Sequence, residues 1–233
     1  MAKNIMPDAH FLTGLTTGFT PVIDAGFSLE DYQHVDLSVN NVELTQEQLD
    51  APEAFQQYIE TFLRKKGGKV AWGGYNEHRG LYKRSELFSS AEDEEIIRNR
   101  HIGVDIWAPA GTAVLAVLDG RIHSFRNNDN FGDYGPTIIL EHQAKGKHFY
   151  TLYGHLQKKS LEGLAVGLAV RQGEQIAALG DASENGNYAA HLHFQIILDL
   201  HGKVGDYPGV ANKKELDFFL NNCPNPNLLL KIA

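Results

Sequence analysis

Three short frames in this sequence hold residue types that bind divalent metals and move protons. His101-Ile102-Gly103-Val104-Asp105 comes first, Tyr153-Gly154-His155-Leu156 second, and Ala190-His191-Leu192-His193-Phe194 third. Imidazole and carboxylate together suit zinc, a borderline ion that accepts nitrogen and oxygen donors. A catalytic ion of this kind takes three protein ligands and keeps one open position. Four histidines and an aspartate therefore leave imidazoles over for acid–base work. That surplus makes the set read as catalytic rather than structural.

Geometry constrains how the frames can cooperate. His191 and His193 lie in a β-type run, where residues two apart project to one face, while Leu192 and Phe194 turn into the core. His101 and Asp105 alternate with Ile102, Val104 and Ile106. In a straight strand their α-carbons would lie roughly 13 Å apart, too far for two ligands with bonds of about 2 Å. Shared ligation requires that His101 precede the regular strand, or that the chain bend at Gly103. Seven of the eleven histidines (His10, His34, His78, His123, His142, His148 and His201) fall in no such frame and read as surface or satisfied core residues. No H-E-x-x-H motif is present, so histidine must supply the acid–base function that a glutamate supplies there.

The elements that must position these frames change in character along the chain. Residues 1 to about 40 are Gly/Thr/Asp-rich without a sustained period and read as an extended arm or irregular strands. Thr45-Gln46-Glu47-Gln48 has the pattern of a capping box, and Asp50-Ala51-Pro52-Glu53 reads as a second. Phe55, Tyr58, Ile59, Phe62 and Leu63 then recur at helical spacing, and Arg64, Lys65 and Lys66 precede Gly67-Gly68. This predicts an amphipathic helix over about 51–66, basic at its C-terminal end as the macrodipole favours. Residues 68–88 read as turns and a short strand, and Glu92 to Glu95 as a solvated acidic linker. From about residue 100 short β-type runs broken by glycine take over: Thr112–Leu118, Arg121–Phe125, Thr137–Glu141, Phe149–Tyr153, Leu164–Val170, Gln175–Leu179 and Leu192–Leu198. Many short strands with little helix between them imply an antiparallel sandwich or barrel. A helix at about Lys213–Leu220 and a Pro/Asn-rich tail close the chain.

Composition excludes several classes. With 233 residues, 42% of them apolar, the chain can bury a substantial core. A formal charge of −8 opposes a nucleic-acid binder that relies on a broad positive face. The single cysteine, Cys223, rules out an intrachain disulfide and sits in a turn-rich stretch, where it reads as structural. No apolar run approaches the roughly 18–20 residues of a membrane-spanning helix. Pro7, Asp8 and His10 interrupt any early apolar segment, so no signal peptide is visible.

Taken in order, H-x-G-x-D, Asp105-Ile106-Trp107-Ala108-Pro109-Ala110-Gly111-Thr112, Tyr-Gly-His-Leu, the run Val170 to Gly180 and His-Leu-His resemble the lysostaphin/LytM-type zinc endopeptidases, which cleave peptide cross-bridges or stem peptides of bacterial cell walls. The likeness covers about residues 98–200. It implies a mainly β fold with an antiparallel β-sandwich or barrel-like catalytic domain over residues 96–233; residues 1–95, which lie outside the likeness, read as an N-terminal α+β extension. It implies one Zn2+ per chain held by His101, Asp105 and His193, with a water completing the tetrahedron. His155 and His191 would flank that water, one moving its proton and the other stabilising the oxyanion, with neither role assigned. The implied partner is a peptidoglycan peptide. That substrate places the protein outside the cytoplasm, whereas the missing signal places it inside. A non-catalytic metal-binding module of the same fold is opposed by the filled ligand positions, and a lipoyl-type carrier by the lack of a lysine in a tight turn. A cytosolic metallopeptidase or amidase with a non-wall substrate stays open. Asn40, Asn41, Glu43, Tyr75 and His78 are candidates for facing or occluding the groove.

Overall fold

The structure is a computed structural model that describes residues 9–80 and 95–233. The expected turns at 81–88 and the acidic run up to residue 94 lie outside those residues. The fold is mainly β. Its strands are β1 (Tyr32–His34), β2 (Val70–Gly73), β3 (Glu77–His78), β4 (Arg100–His101), β5 (Val104–Trp107), β6 (Ala113–Leu115), β7 (Gly120–Asn128), β8 (Gly135–Ala144), β9 (Lys147–Gly154), β10 (Ala169–Val170), β11 (Gln175–Ala178), β12 (His191–Ile197) and β13 (Val210–Ala211).

Eight strands form one sheet in the order β1-β2-β5-β12-β9-β8-β7-β10, beside a pair β11-β6 and a triplet β13-β4-β3. All these pairings are antiparallel except β1 on β2, which lies in the N-terminal extension, so the antiparallel expectation for the later domain holds. The hairpins from β7 through β9 carry alternating apolar residues whose inward face, with Ile138, Leu140 and Phe149, joins Leu192, Phe194 and Ile196 in the largest core cluster. Burying such side chains contributes about 1.5–3 kcal/mol each.

Helices α1 (Gln46–Asp50) and α2 (Pro52–Lys66) occupy the predicted helical region. Thr45 Oγ1 accepts from the Gln48 amide and Gln48 Oε1 from the Thr45 amide, which is the expected capping box. The second box does not form. Asp50 closes α1, Ala51 is the N-cap of α2 with no side-chain bond, and Pro52 opens the helix. Gly67 ends it at φ 72° in the left-handed region that glycine tolerates. The buried stripe of α2, Phe55 and Ile59, packs in one cluster with Ala71 of β2 and Trp107 of β5, so the helix is clamped to the sheet next to the site frames.

Several expected elements change their bounds. Leu164–Val170 reduces to Ala169–Val170, since Gly163 and Gly167 adopt φ 73° and 86° and break the extended backbone. The late helix begins at Leu216 rather than Lys213 and is α3 (Leu216–Asn222). The Pro/Asn-rich tail carries α4 (Asn227–Leu230), because Leu229 and Leu230 are fully buried and Asn227 Oδ1 accepts from the Ile232 amide. Among the described residues no helix is long and apolar enough to cross a membrane.

Candidate active site

Strand β12 is central to the site because it pairs on both sides with strands that carry site residues. His193 lies opposite Asp105 of β5 and opposite Gly154 of β9. His155 follows β9 directly at φ 63°, held there by its amide donating to Tyr134 O at 2.8 Å and its carbonyl accepting from the Gly180 amide at 2.9 Å. A non-glycine residue in this region costs of order 1–3 kcal/mol and marks a position constrained by its surroundings.

His101 reaches Asp105 through a break rather than along a strand. β4 belongs to the three-stranded sheet and β5 to the eight-stranded one, and the chain changes sheet at Ile102-Gly103. The bend expected at Gly103 is therefore present. It brings His101 Nε2 to 3.2 Å from Asp105 Oδ1.

Three donor atoms converge: Asp105 Oδ1 lies 3.0 Å from His193 Nδ1, and His101 Nε2 lies 3.0 Å from the same nitrogen. The edges of a tetrahedron with bonds of about 2.0–2.1 Å measure about 3.3 Å, so this triangle has the size of one face of a zinc site. All three residues are buried, at 1%, 4% and 3% exposure for His101, Asp105 and His193.

Hydrogen bonding fixes what the two rings present. Gly74 O can only accept, so His101 Nδ1 at 2.8 Å carries the proton and Nε2 is bare. Gln195 Nε2 donates to Pro208 O and Cys223 Sγ, which orients its Oε1 as an acceptor for His193 Nε2–H at 3.0 Å and leaves His193 Nδ1 bare. Two nitrogen lone pairs and a carboxylate oxygen thus meet in a buried space with no proton between them. Such an arrangement is repulsive by itself and fits a cation.

The other two imidazoles are arranged alike. His155 Nδ1 donates to Asn185 O and His191 Nδ1 to Ala189 O, both at 2.8 Å, so each ring keeps a basic Nε2. Their ring centroids are 4.1 Å apart, and His191 Nε2 lies 3.9 Å from Asp105 Oδ1. Burial lowers the pKa of both rings, and for His155 the neighbouring His191 lowers it further. Burial, with the Arg79 cation next, takes His101 down to about 4. Burial alone would raise the Asp105 carboxyl, yet His101 and Arg79 outweigh it and hold the group well below its usual value. Trp107 stacks on His191 at 5.5 Å and contacts Phe55 edge-on at 6.1 Å, linking helix α2 to the site.

All five residues singled out from the sequence therefore lie together along a cavity of about 320 Å³. Leu49, Pro52 and Phe55 supply an apolar part of its lining, while Arg98, Asp133, Lys203 and Asp206 are charged. Asn40, Asn41, Glu43, Tyr75 and His78 do not line it. Tyr75 instead donates its hydroxyl to Cys223 O, and Asn41 donates to Asp36 O. Sequence reasoning missed Arg79, Tyr134, Asn185 and Gln195. Arg79 is buried, donates from Nε to Glu77 Oε2 at 2.6 Å and from Nη1 to Asp105 Oδ2, and lies outside any recognised frame.

Residues 99–205 match the profile of Peptidase family M23. Among curated proteins, the peptidoglycan DD-endopeptidase ShyC of Vibrio cholerae is 29% identical over 99 residues, which cover 42% of this chain. The chain spans about a fifth of that relative, 20% of its length. Among solved structures, the catalytic domain of the antimicrobial peptidase lysostaphin from Staphylococcus simulans is 28% identical with a TM-score of 0.36, covering 52% of this chain and 80% of that one. The catalytic domain of the prophage-encoded M23 protein EnpA from Enterococcus faecalis is 17% identical with a TM-score of 0.40, covering 61% of this chain and 86% of that one.

Proposed function

We propose, from the premise that this chain belongs to Peptidase family M23 through residues 99–205, that it is a zinc-dependent endopeptidase acting on peptide bonds of peptidoglycan. The observation that carries the metal site is the convergence of three bare donor atoms, on His101, Asp105 and His193, at 3.0–3.2 Å from one another. These residues would hold one ion per chain. When bound, zinc supplies Lewis acidity, polarising the scissile carbonyl and making a water easier to deprotonate.

The remaining chemistry belongs to His155 and His191. Both rings are neutral, with Nδ1–H spent on a backbone carbonyl and Nε2 available as a base. One Nε2 takes the proton of the attacking water and delivers it to the leaving amine, while the other ring packs beside it with centroids 4.1 Å apart. The lowered basicity of these rings favours return of the proton to the amine. The apolar lining from Leu49, Pro52 and Phe55 supplies a dry flank to the cavity, so part of the substrate contact comes from residues before the matched segment. The peptidoglycan assignment is supported by the Vibrio cholerae relative, a peptidoglycan DD-endopeptidase.

Incubating the zinc-loaded protein with purified sacculi, with His101→Ala as control, tests the reading by mass spectrometry of the released muropeptides. New ends at cross-links or stem peptides, absent from the control, are expected and name the bond. Tight zinc binding without any cleavage of sacculi would overturn the substrate assignment.

A further inference from the structure

Arg79 is a cation placed beside a donor cluster that could hold a second cation, which calls for a reason. Its backbone is fixed next to β3, where Glu77 lies opposite His101, and its amide donates to Asn99 O at 3.0 Å. Its side chain is buried, with Nε on Glu77 Oε2 at 2.6 Å and Nη1 on Asp105 Oδ2. Room for the guanidinium depends on Gly74, at φ 93°, where an added Cβ would meet Arg79 Nη2 at 1.9 Å. Glu77 is anchored in turn, accepting the Leu37 amide on Oε1 at 3.0 Å.

The two oxygens of Asp105 are thus divided. Oδ1 faces His101 and His193, and Oδ2 is taken by Arg79. We propose that Arg79 is a positioning residue that engages Oδ2, so that Asp105 offers one oxygen to the metal and a coordination position stays open for water and substrate. Glu77 aims the fork, because a planar guanidinium can serve two carboxylates at once whereas an ammonium is a point charge. The inference rests on the metal site proposed above and adds to it a residue 20 positions ahead of the matched segment.

Cobalt(II) in place of zinc provides the test on the full chain. The wild type is compared with Arg79→Gln, Arg79→Lys and Glu77→Gln by visible absorption and by competition with a chelator. In Arg79→Gln the carboxylate is free to rotate and to bring Oδ2 in as an added donor. The cobalt bands are then expected to weaken, and affinity to fall about 10–100-fold. Arg79→Lys is expected to restore little of either, and Glu77→Gln to shift both in the same direction by a smaller factor. A folded Arg79→Gln with wild-type bands and affinity overturns the proposal. If Arg79→Gln does not fold, an unchanged spectrum in Glu77→Gln overturns it instead. Wild-type protein that binds no cobalt overturns the metal site itself, a failure distinct from wild-type binding with unaltered variants.

Discussion

Gly103 lies directly beneath the His193 ring: a Cβ at residue 103 would come within 2.6 Å of His193 Cε1 and Nε2 and 2.8 Å of Phe194 O. The glycine that lets the chain cross between two sheets also leaves the space that the ring fills. That space does not survive a side chain, because the carbonyl belongs to the central strand and cannot yield.

Gly103→Ala is accordingly expected to fold with a loss of about 1–3 kcal/mol from overpacking and to displace His193 from the donor triangle. Metal content after dialysis should fall at least as far as in His193→Ala. Stoichiometric metal in the alanine variant would show that the ring position does not depend on this contact.

The two kinds of histidine should separate in their effects. His193→Ala removes a donor and should abolish both metal retention and turnover. His155→Ala leaves the triangle intact, so metal should stay bound while kcat falls about 100-fold or more, the scale of a lost general acid–base group. Atomic absorption and muropeptide release, measured on the same samples, distinguish the two. Full turnover in His155→Ala would remove it from the reaction.

His142 makes stability depend on pH well away from the site. It is buried, its Nδ1 meets Asp119 O at 2.9 Å and its Nε2 meets Thr151 Oγ1 at 2.7 Å, and burial lowers its pKa to about 4. The unfolded ring titrates near 6.5, so between about pH 6.5 and 4 the unfolded chain binds the additional proton and stability falls as pH falls. Lowering the pH from 7.5 to 5 should cost the wild type about 2 kcal/mol through this group. Urea unfolding of His142→Gln at both values should show a smaller drop, and identical drops would contradict the assignment.

Cys223 should be inert in the folded protein. The thiol is fully buried, its sulfur accepts from Gln195 Nε2 at 3.2 Å, and burial pushes its pKa up to about 12. Alkylation at pH 8 is expected to label the chain only in denaturant. Rapid labelling of native protein would be incompatible with this packing.

The site was legible in the sequence where side-chain direction follows from strand period. His191 and His193 had to share a face, and the distance along a straight strand already required that His101 precede the regular strand or that the chain bend at Gly103. Gln195 was equally available by that logic, two residues beyond His193 on the same face of β12, and it sets that ring's tautomer. Arg79 was not available. It reaches Asp105 across 26 residues through the pairing of β3 with β4, and an isolated arginine among turn-forming residues carries no period. The fold shows the same division. The aromatic stripe of α2 announced itself, whereas the four-residue α4 is held by burial of Leu229 and Leu230 that no local pattern signals.

The pairing of Gly73 with Asp105 and of Glu77 with His101 has a consequence for how such a gene can be inherited. Two of the three proposed ligand-bearing strands lean on residues 70–79, which precede the recognisable family segment. A recombination event that transplanted residues 99–205 alone would carry β4 and β5 away with bare edges and leave the Asp105 carboxylate without its guanidinium. The matched segment and residues 70–79 are therefore one structural unit, joined edge to edge through β2 on β5 and β3 on β4.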